Sequence, residues 1–141
     1  MIQAILDRLA LVDGTTVREG FYVQSIAKEE RFIFLQPYTD GFDAKNGIDK
    51  YKDELALQVV AGVKLTKNST PTADLINLVR AIRCAFYKDE RFTEKPSWLP
   101  SVISFKESEP CKYIMPEAHE SHGLAVLTLS LVTTVKFGDS L

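Results

Sequence analysis

Two cysteines and two histidines are all that this 141-residue chain offers in thiol or imidazole chemistry, and the scarcity removes whole classes of function. A disulfide framework needs several cysteines at regular spacing; Cys84 and Cys111 stand alone in unrelated contexts and fit a reducing compartment. Charge of one sign is also missing. The 17 Lys and Arg against 19 Asp and Glu leave a net charge of -2, without the basic excess of a sequence-specific nucleic-acid binder. No apolar run approaches the roughly 20 residues of a membrane span. The segment MIQAILDRLALVDG carries Asp7 and Arg8 and lacks the apolar core and cleavage site of a signal peptide, which places the chain in the cytoplasm. Glycines at 14, 20, 41, 47, 62, 123 and 138 are too scattered to cradle a phosphate. G-x-S-x-G, P-loop and dinucleotide fingerprints are all absent.

What is present is a soluble balance of 45% hydrophobic and 26% charged residues, enough for the core of a single domain spanning 1–141. The organising stretch runs from Asp53 to Lys88. In DELALQVVAGVKLT, Leu55, Leu57, Val59, Ala61, Val63 and Leu65 alternate with Gln58, Val60, Gly62, Lys64 and Thr66, the period of a strand with one face on a core. Thr70 then Pro71 start a helix, threonine as a cap and proline at a position that needs no N–H. Ala73, Leu75, Ile76, Leu78, Val79, Ile82, Ala85 and Phe86 follow at helical spacing to Lys88.

Other elements surround this unit. Ile2, Ile5, Leu6, Leu9 and Val12 predict a helix over 2–12, ended by Asp13-Gly14. The stretch 15–31 is left open, with Val17, Phe21, Val23 and Ile26 available to a short irregular strand and Gly20 interrupting it. RFIFLQP at 31–37 predicts a core strand stopped by Pro37. Tyr38 to Glu54 then reads as a long loop, with turn dipeptides Asp40-Gly41 and Asn46-Gly47. Trp98, between Pro96 and Pro100, is placed as a plug at the core edge. SVISFK at 101–106 predicts a short strand with Val102 and Ile103 inward. Residues 107–123 read as a second long connection, and 124–137 as a closing strand with Leu127, Leu129, Leu131, Thr133, Val135 and Phe137 on one side. The two strands, each roughly 40 Å long at about 3.3 Å per residue, outrun what such a core can cover. The fold class is α/β (α+β): a mixed sheet, two helices on one face and long loops.

Candidate sites fail on spacing. Glu117, His119, Glu120 and His122 place two histidines three apart beside carboxylates, with Cys111 nearby, but no further ligand stands at a defined position; a polar loop is the better reading. Asp40, Asp43, Asp49, Asp53 and Glu54 do not match a calcium loop, which would need acceptors at Phe42 and Ala44. Cys84 with His119 or His122 has no sequence signature of a dyad, and Cys84 reads as a buried structural cysteine. Lys64, Lys67, Arg80, Arg83 and Lys88 are interleaved with Asp74, Asp89 and Glu90, a mixed solvated face. The sequence predicts no enzyme, no cofactor and no metal.

The order of elements carries a resemblance: a first helix, FIFLQP, a long loop, ELALQVVAGVKL, TADLINLVRAIRCAFY, a short strand, then AVLTLSLVTTVKF. This resembles the tail terminator proteins of long-tailed bacteriophages (the phage lambda minor tail protein U family) over nearly the whole chain. The resemblance implies a hexameric ring that caps the growing tail tube, stops its polymerisation and offers a surface to the head. Its partners would be five further copies, the tail tube protein and a head-tail connector protein, in the tail or neck of a virion assembled in host cytoplasm. The competing classes are another connector or neck protein, a tail tube subunit and a small enzyme. The two long loops are the candidate contact surfaces. Tyr38, Phe42, Tyr51 and Tyr113 among Asp40, Asp43, Lys50, Lys52 and Glu117 suit an apolar centre with a polar rim.

Overall fold

Alternating apolar residues do form the central strand, and it is longer than its pattern. A computed structural model of the chain describes residues 1–44, 47–88 and 91–141. The elements are α1 (Ile2–Leu9), β1 (Thr16–Glu19), β2 (Arg31–Asp43), β3 (Lys50–Lys64), α2 (Pro71–Tyr87), β4 (Ser104–Glu107), β5 (Lys112–Ile114) and β6 (His122–Lys136). The strands make one mixed sheet in the order β1-β2-β3-β6-β4, with β5 also paired to β6. Only β1 with β2 is parallel; the remaining pairs are antiparallel.

Both helices lie on one face. Ile5 and Leu9 of α1 and Leu75, Leu78, Val79, Ile82, Ala85 and Phe86 of α2 share a buried cluster with Leu57, Val59, Ala61 and Val63 of β3 and Leu127, Leu129 and Leu131 of β6. The alternation expected of both long strands therefore places the right side inward. Trp98 closes one end of this core: its indole N–H donates to the Phe86 carbonyl at 2.8 Å, and its ring lies 6.0 Å from Phe86 and 5.4 Å from Phe105.

The opposite face carries a second, smaller apolar cluster of Ala27, Phe32, Phe34, Val60 and Leu124, with Tyr22 and Val126 against it. This is what the open stretch 15–31 does. Its first part pairs as β1, and the remainder folds over the sheet. The Tyr22 amide donates to Gln36 at 2.9 Å, and Arg18 and Glu29 form an ion pair with one contact of 2.8 Å. Of the four apolar residues available to an irregular strand, Val17 alone is in β1; Phe21, Val23 and Ile26 are exposed.

Several expectations are corrected. α1 ends at Leu9, three residues early, because the chain tightens into turns: the Leu11 and Val12 amides donate to Arg8 and Leu9 at 3.0 and 3.1 Å. Val12 still reaches the core. Pro37 does not stop β2. It lies beyond the last residue paired with β1, where an edge strand needs no N–H on its outer side, and the register shifts between Pro37 and Thr39. The loop expected at 38–54 is mostly strand, and Asp40-Gly41 is extended backbone opposite Leu55 and Glu54. Gly47 takes a positive φ of 139°; Asn46 lies outside the described residues. The connection 107–123 contains β5. Ile103 is 42% exposed rather than inward, and Val102 is buried just before β4. Thr70 does not cap through its hydroxyl, which instead donates to the Asp74 carboxylate at 3.3 Å, while the Thr70 carbonyl accepts the Asp74 amide.

Candidate functional site

β2, β3 and β6 outrun the core at the end where β2 turns into β3. Neither neighbour follows them: β1 pairs with β2 only as far as Leu35, and β4 with β6 begins at Val132. The result is a three-stranded ribbon of residues 38–43, 50–56 and 133–136 with both edges open. Register decides which side chains meet on it. Phe42 faces Asp53, Asp53 faces Thr133, and Tyr51 faces Val135. These residues continue the same face that holds Leu55 and Leu57 over the helices.

On that face the aromatic residues gather. Phe42 and Tyr51 have ring centroids 4.9 Å apart, and Phe137 lies 5.3 Å from Tyr51 and 6.5 Å from Phe42. Phe42 is 65% and Phe137 56% exposed, while Tyr51 is half-buried beneath them. Phe137 was legible as the next member of the β6 alternation, yet nothing in the sequence said that it would meet Phe42. The other side of the ribbon carries Lys50 opposite Lys136, with Lys52 next along β3. The ribbon thus carries aromatic and acidic groups on one side, and on the other its three lysines together with Asp43 and Glu54.

Between the aromatic tip and the core sits Asp53, buried beside Asp40. Burial raises the Asp53 carboxyl to about 6, and the hydrogen bond and negative charge of Asp40 push in the same direction. Asp53 therefore takes up its proton early as the pH falls.

The other expected contact residues scatter. Tyr38 is exposed at the register shift, and Asp43 is exposed near the hairpin turn. Tyr113 lies on β5 and Glu117 in the turn after it, at the far end of the sheet from Phe42. There an apolar groove of about 580 Å³ opens between the start of α2 and the end of β5.

The remaining candidates separate. Glu117, His119 and Glu120 have ligand atoms within 4.8 Å of one another on one exposed turn. His122 is not with them. It is buried, with Nε2 2.7 Å from the Glu29 carbonyl and Nδ1 2.8 Å from the Ser121 hydroxyl. A carbonyl only accepts, so Nε2 carries the proton and Nδ1 accepts from serine. Nε2 ties β6 to the covering segment, and the serine next in sequence fixes the ring through Nδ1. Cys84, expected to be buried, is exposed: the inward stripe of α2 passes through Ile82, Ala85 and Phe86 and leaves position 84 on the flank. Cys111 is half-buried, and burial pushes its thiol pKa up, away from reactivity. Arg83 of the basic strip is held by Glu107 at 2.6 and 3.0 Å; Asp89 and Glu90 lie outside the described residues. Among those residues no helix is long and apolar enough to cross a membrane.

No family model and no curated protein matches the chain. A solved structure does. The sheath/tube terminator of an extracellular contractile injection system (PVC), in its extended state, superposes with a TM-score of 0.51 over 98% of this chain. The fold is similar to that of a sheath/tube terminator. Identity is 9%, and the match takes in 56% of the other chain, so this chain spans about half the length of that terminator subunit. At such identity the likeness is one of fold. It agrees with the tail-terminator-like architecture expected from the order of elements.

Proposed function

We propose that this chain is a structural subunit that terminates the tube of a phage-like tail. The observation that carries the reading is the fold shared with a sheath/tube terminator over nearly the whole chain. The projecting ribbon adds to it, since a subunit that only had to fold would gain nothing from strands extended past their core. In the finer reading the chain is a relative of the minor tail protein U family. Its 141 residues act as one domain, and six copies close a ring on the last tube layer. The ring stops tube growth and presents a surface to a head-tail connector, in a tail assembled in the host cytoplasm. The work is binding, without a reaction, resident metal or cofactor.

Tail length tests this reading. A host producing particles without the chain accumulates overgrown tails of irregular length beside filled, unattached heads, visible by electron microscopy. Tails of normal length would transfer the role to a connector. Native mass spectrometry of the purified chain gives a hexamer if the ring forms alone, whereas spontaneous open filaments would make it a tube subunit.

A further inference from the structure

Two apolar surfaces remain uncovered at opposite ends of the long strands. At one end is the tip, where Phe42 and Phe137 stand exposed over Tyr51. At the other is the groove lined by Leu65, Leu75, Ile76, Ile114, Met115 and Pro116. Met115 is 87% exposed and Ile114 47%. Phe42 stands opposite Asp53, and Ile114 at the groove reaches Gly62 through Leu124, nine residues further along β3, so the two surfaces are separated by roughly 30 Å at about 3.3 Å per residue. A chain therefore cannot fill its own groove with its own tip. The groove volume of about 580 Å³ falls in the range of roughly 300–1,000 Å³ that takes ring-sized organic groups.

Charge agrees with shape. The acidic groups on the aromatic side of the ribbon are Asp40 and Asp53, and the lysines point to its other side. On the groove side, Arg80 is exposed on α2 one turn beyond Ile76, which lines the groove. Arg83 is engaged by Glu107, and Arg80 offers a cation to an incoming carboxylate.

We infer that the aromatic hairpin tip of one copy seats in the groove beside the start of α2 of a second copy, with Asp40 meeting Arg80. Different patches meet, so the contact is heterologous: repeated, it closes a ring or runs on as a filament. It is the subunit joint of the ring proposed above and rests on that reading for its closure. Phe42, Phe137 and Met115 are the central apolar contacts, and Asp40 and Arg80 set the register at the rim.

Thiol cross-linking tests it directly. In a Cys84→Ser, Cys111→Ser background, Phe42→Cys and Met115→Cys are introduced together and treated with a short bis-maleimide. The expected product is a ladder of multimers on a denaturing gel, absent from either single cysteine variant. Asp40→Arg and Arg80→Asp each lower the assembled fraction about tenfold by sedimentation, and the double exchange restores it. Melting temperatures measured in dilute protein, where copies do not join, that are no lower than wild type confirm that folding is intact; Asp40→Arg also removes the like charge beside Asp53 and raises its dilute value. Wild-type oligomers with no ladder, or charge variants that assemble normally, overturn the contact while leaving the terminator reading standing. A chain that is monomeric at every concentration yet whose loss gives overgrown tails overturns the contact alone. Tails of normal length without the chain would instead remove the terminator reading, whatever the cross-linking result.

Discussion

Gly62 shows how tightly single positions are set. It faces Phe32 across the sheet, and a Cβ there would stand 2.2 Å from the ring. Phe32 is fully buried and stacks 5.5 Å from Tyr22, so it has nowhere to withdraw. Gly62→Ala is expected to destabilise by about 1–3 kcal/mol, as overpacking does, and thermal unfolding reads it out. Val59, fully buried on the helix face, responds more strongly. Val59→Asp costs several kcal/mol because the charge finds no partner there, and the variant should be recovered mainly as insoluble protein. Asp53 works in the reverse direction. Its folded pKa of about 6 lies above the usual 3.8, so between these values the folded state holds more protons than the unfolded one. Stability from this group is full below about pH 4 and is lost as the pH rises through 6. Asp53→Asn should therefore stabilise the fold at pH 7 by an amount on the order of 2 kcal/mol, read as a higher melting temperature, and do little at pH 4.

The hairpin is the element whose behaviour differs most from its surroundings. Residues 57–63 of β3 lie between the helices and the covering segment, while residues 50–54 have neighbours mainly along the sheet and Leu55 marks the edge of the helix-side core. Amides of the ribbon should exchange hydrogen far faster than those of Val59 to Val63 in dilute protein, because local opening there breaks few buried contacts. On assembly they should slow by an order of magnitude or more. Exchange that is equally slow in both halves of β3 in the monomer would mean that the ribbon is held by something other than a partner. The covering segment 20–30 is pinned at its ends by Gln36, by the Arg18–Glu29 pair and by His122. His122→Ala removes the tie to the Glu29 carbonyl, and should loosen this segment to proteolysis before the sheet itself melts.

At the scale of the whole molecule, assembly and stability are linked by mass action. If copies join only when folded, the melting temperature rises with protein concentration, and Phe42→Asp removes that dependence while leaving the dilute melting temperature nearly unchanged. A sheet-rich fold with two helices also predicts a far-ultraviolet circular dichroism spectrum with a strong strand component. A spectrum dominated by helix would contradict the topology of six strands and two helices.

Sequence alone determined the helix-facing layer. Period-2 alternation in β3 and β6 and period-3.6 spacing in α2 are local signals, and each named the buried side of its own element without knowledge of the others. The same locality explains the failures. Pro37 and Asp40-Gly41 are breakers by propensity, yet a strand with an open edge can carry a proline, and a glycine flanked by paired residues extends like any other. Cys84 was misplaced because a helix position just beside the stripe is decided by the neighbours it meets. The second apolar face was invisible because Tyr22 and Ala27 sit in an irregular segment without a period, and they find Phe32 and Phe34 only when that segment folds back. The tip is the clearest case. Phe42 and Tyr51 belong to two strands and Phe137 directly follows a third, 95 positions beyond Phe42 in sequence. Only the antiparallel register of β2, β3 and β6 carries all three rings past the end of the core and sets them side by side.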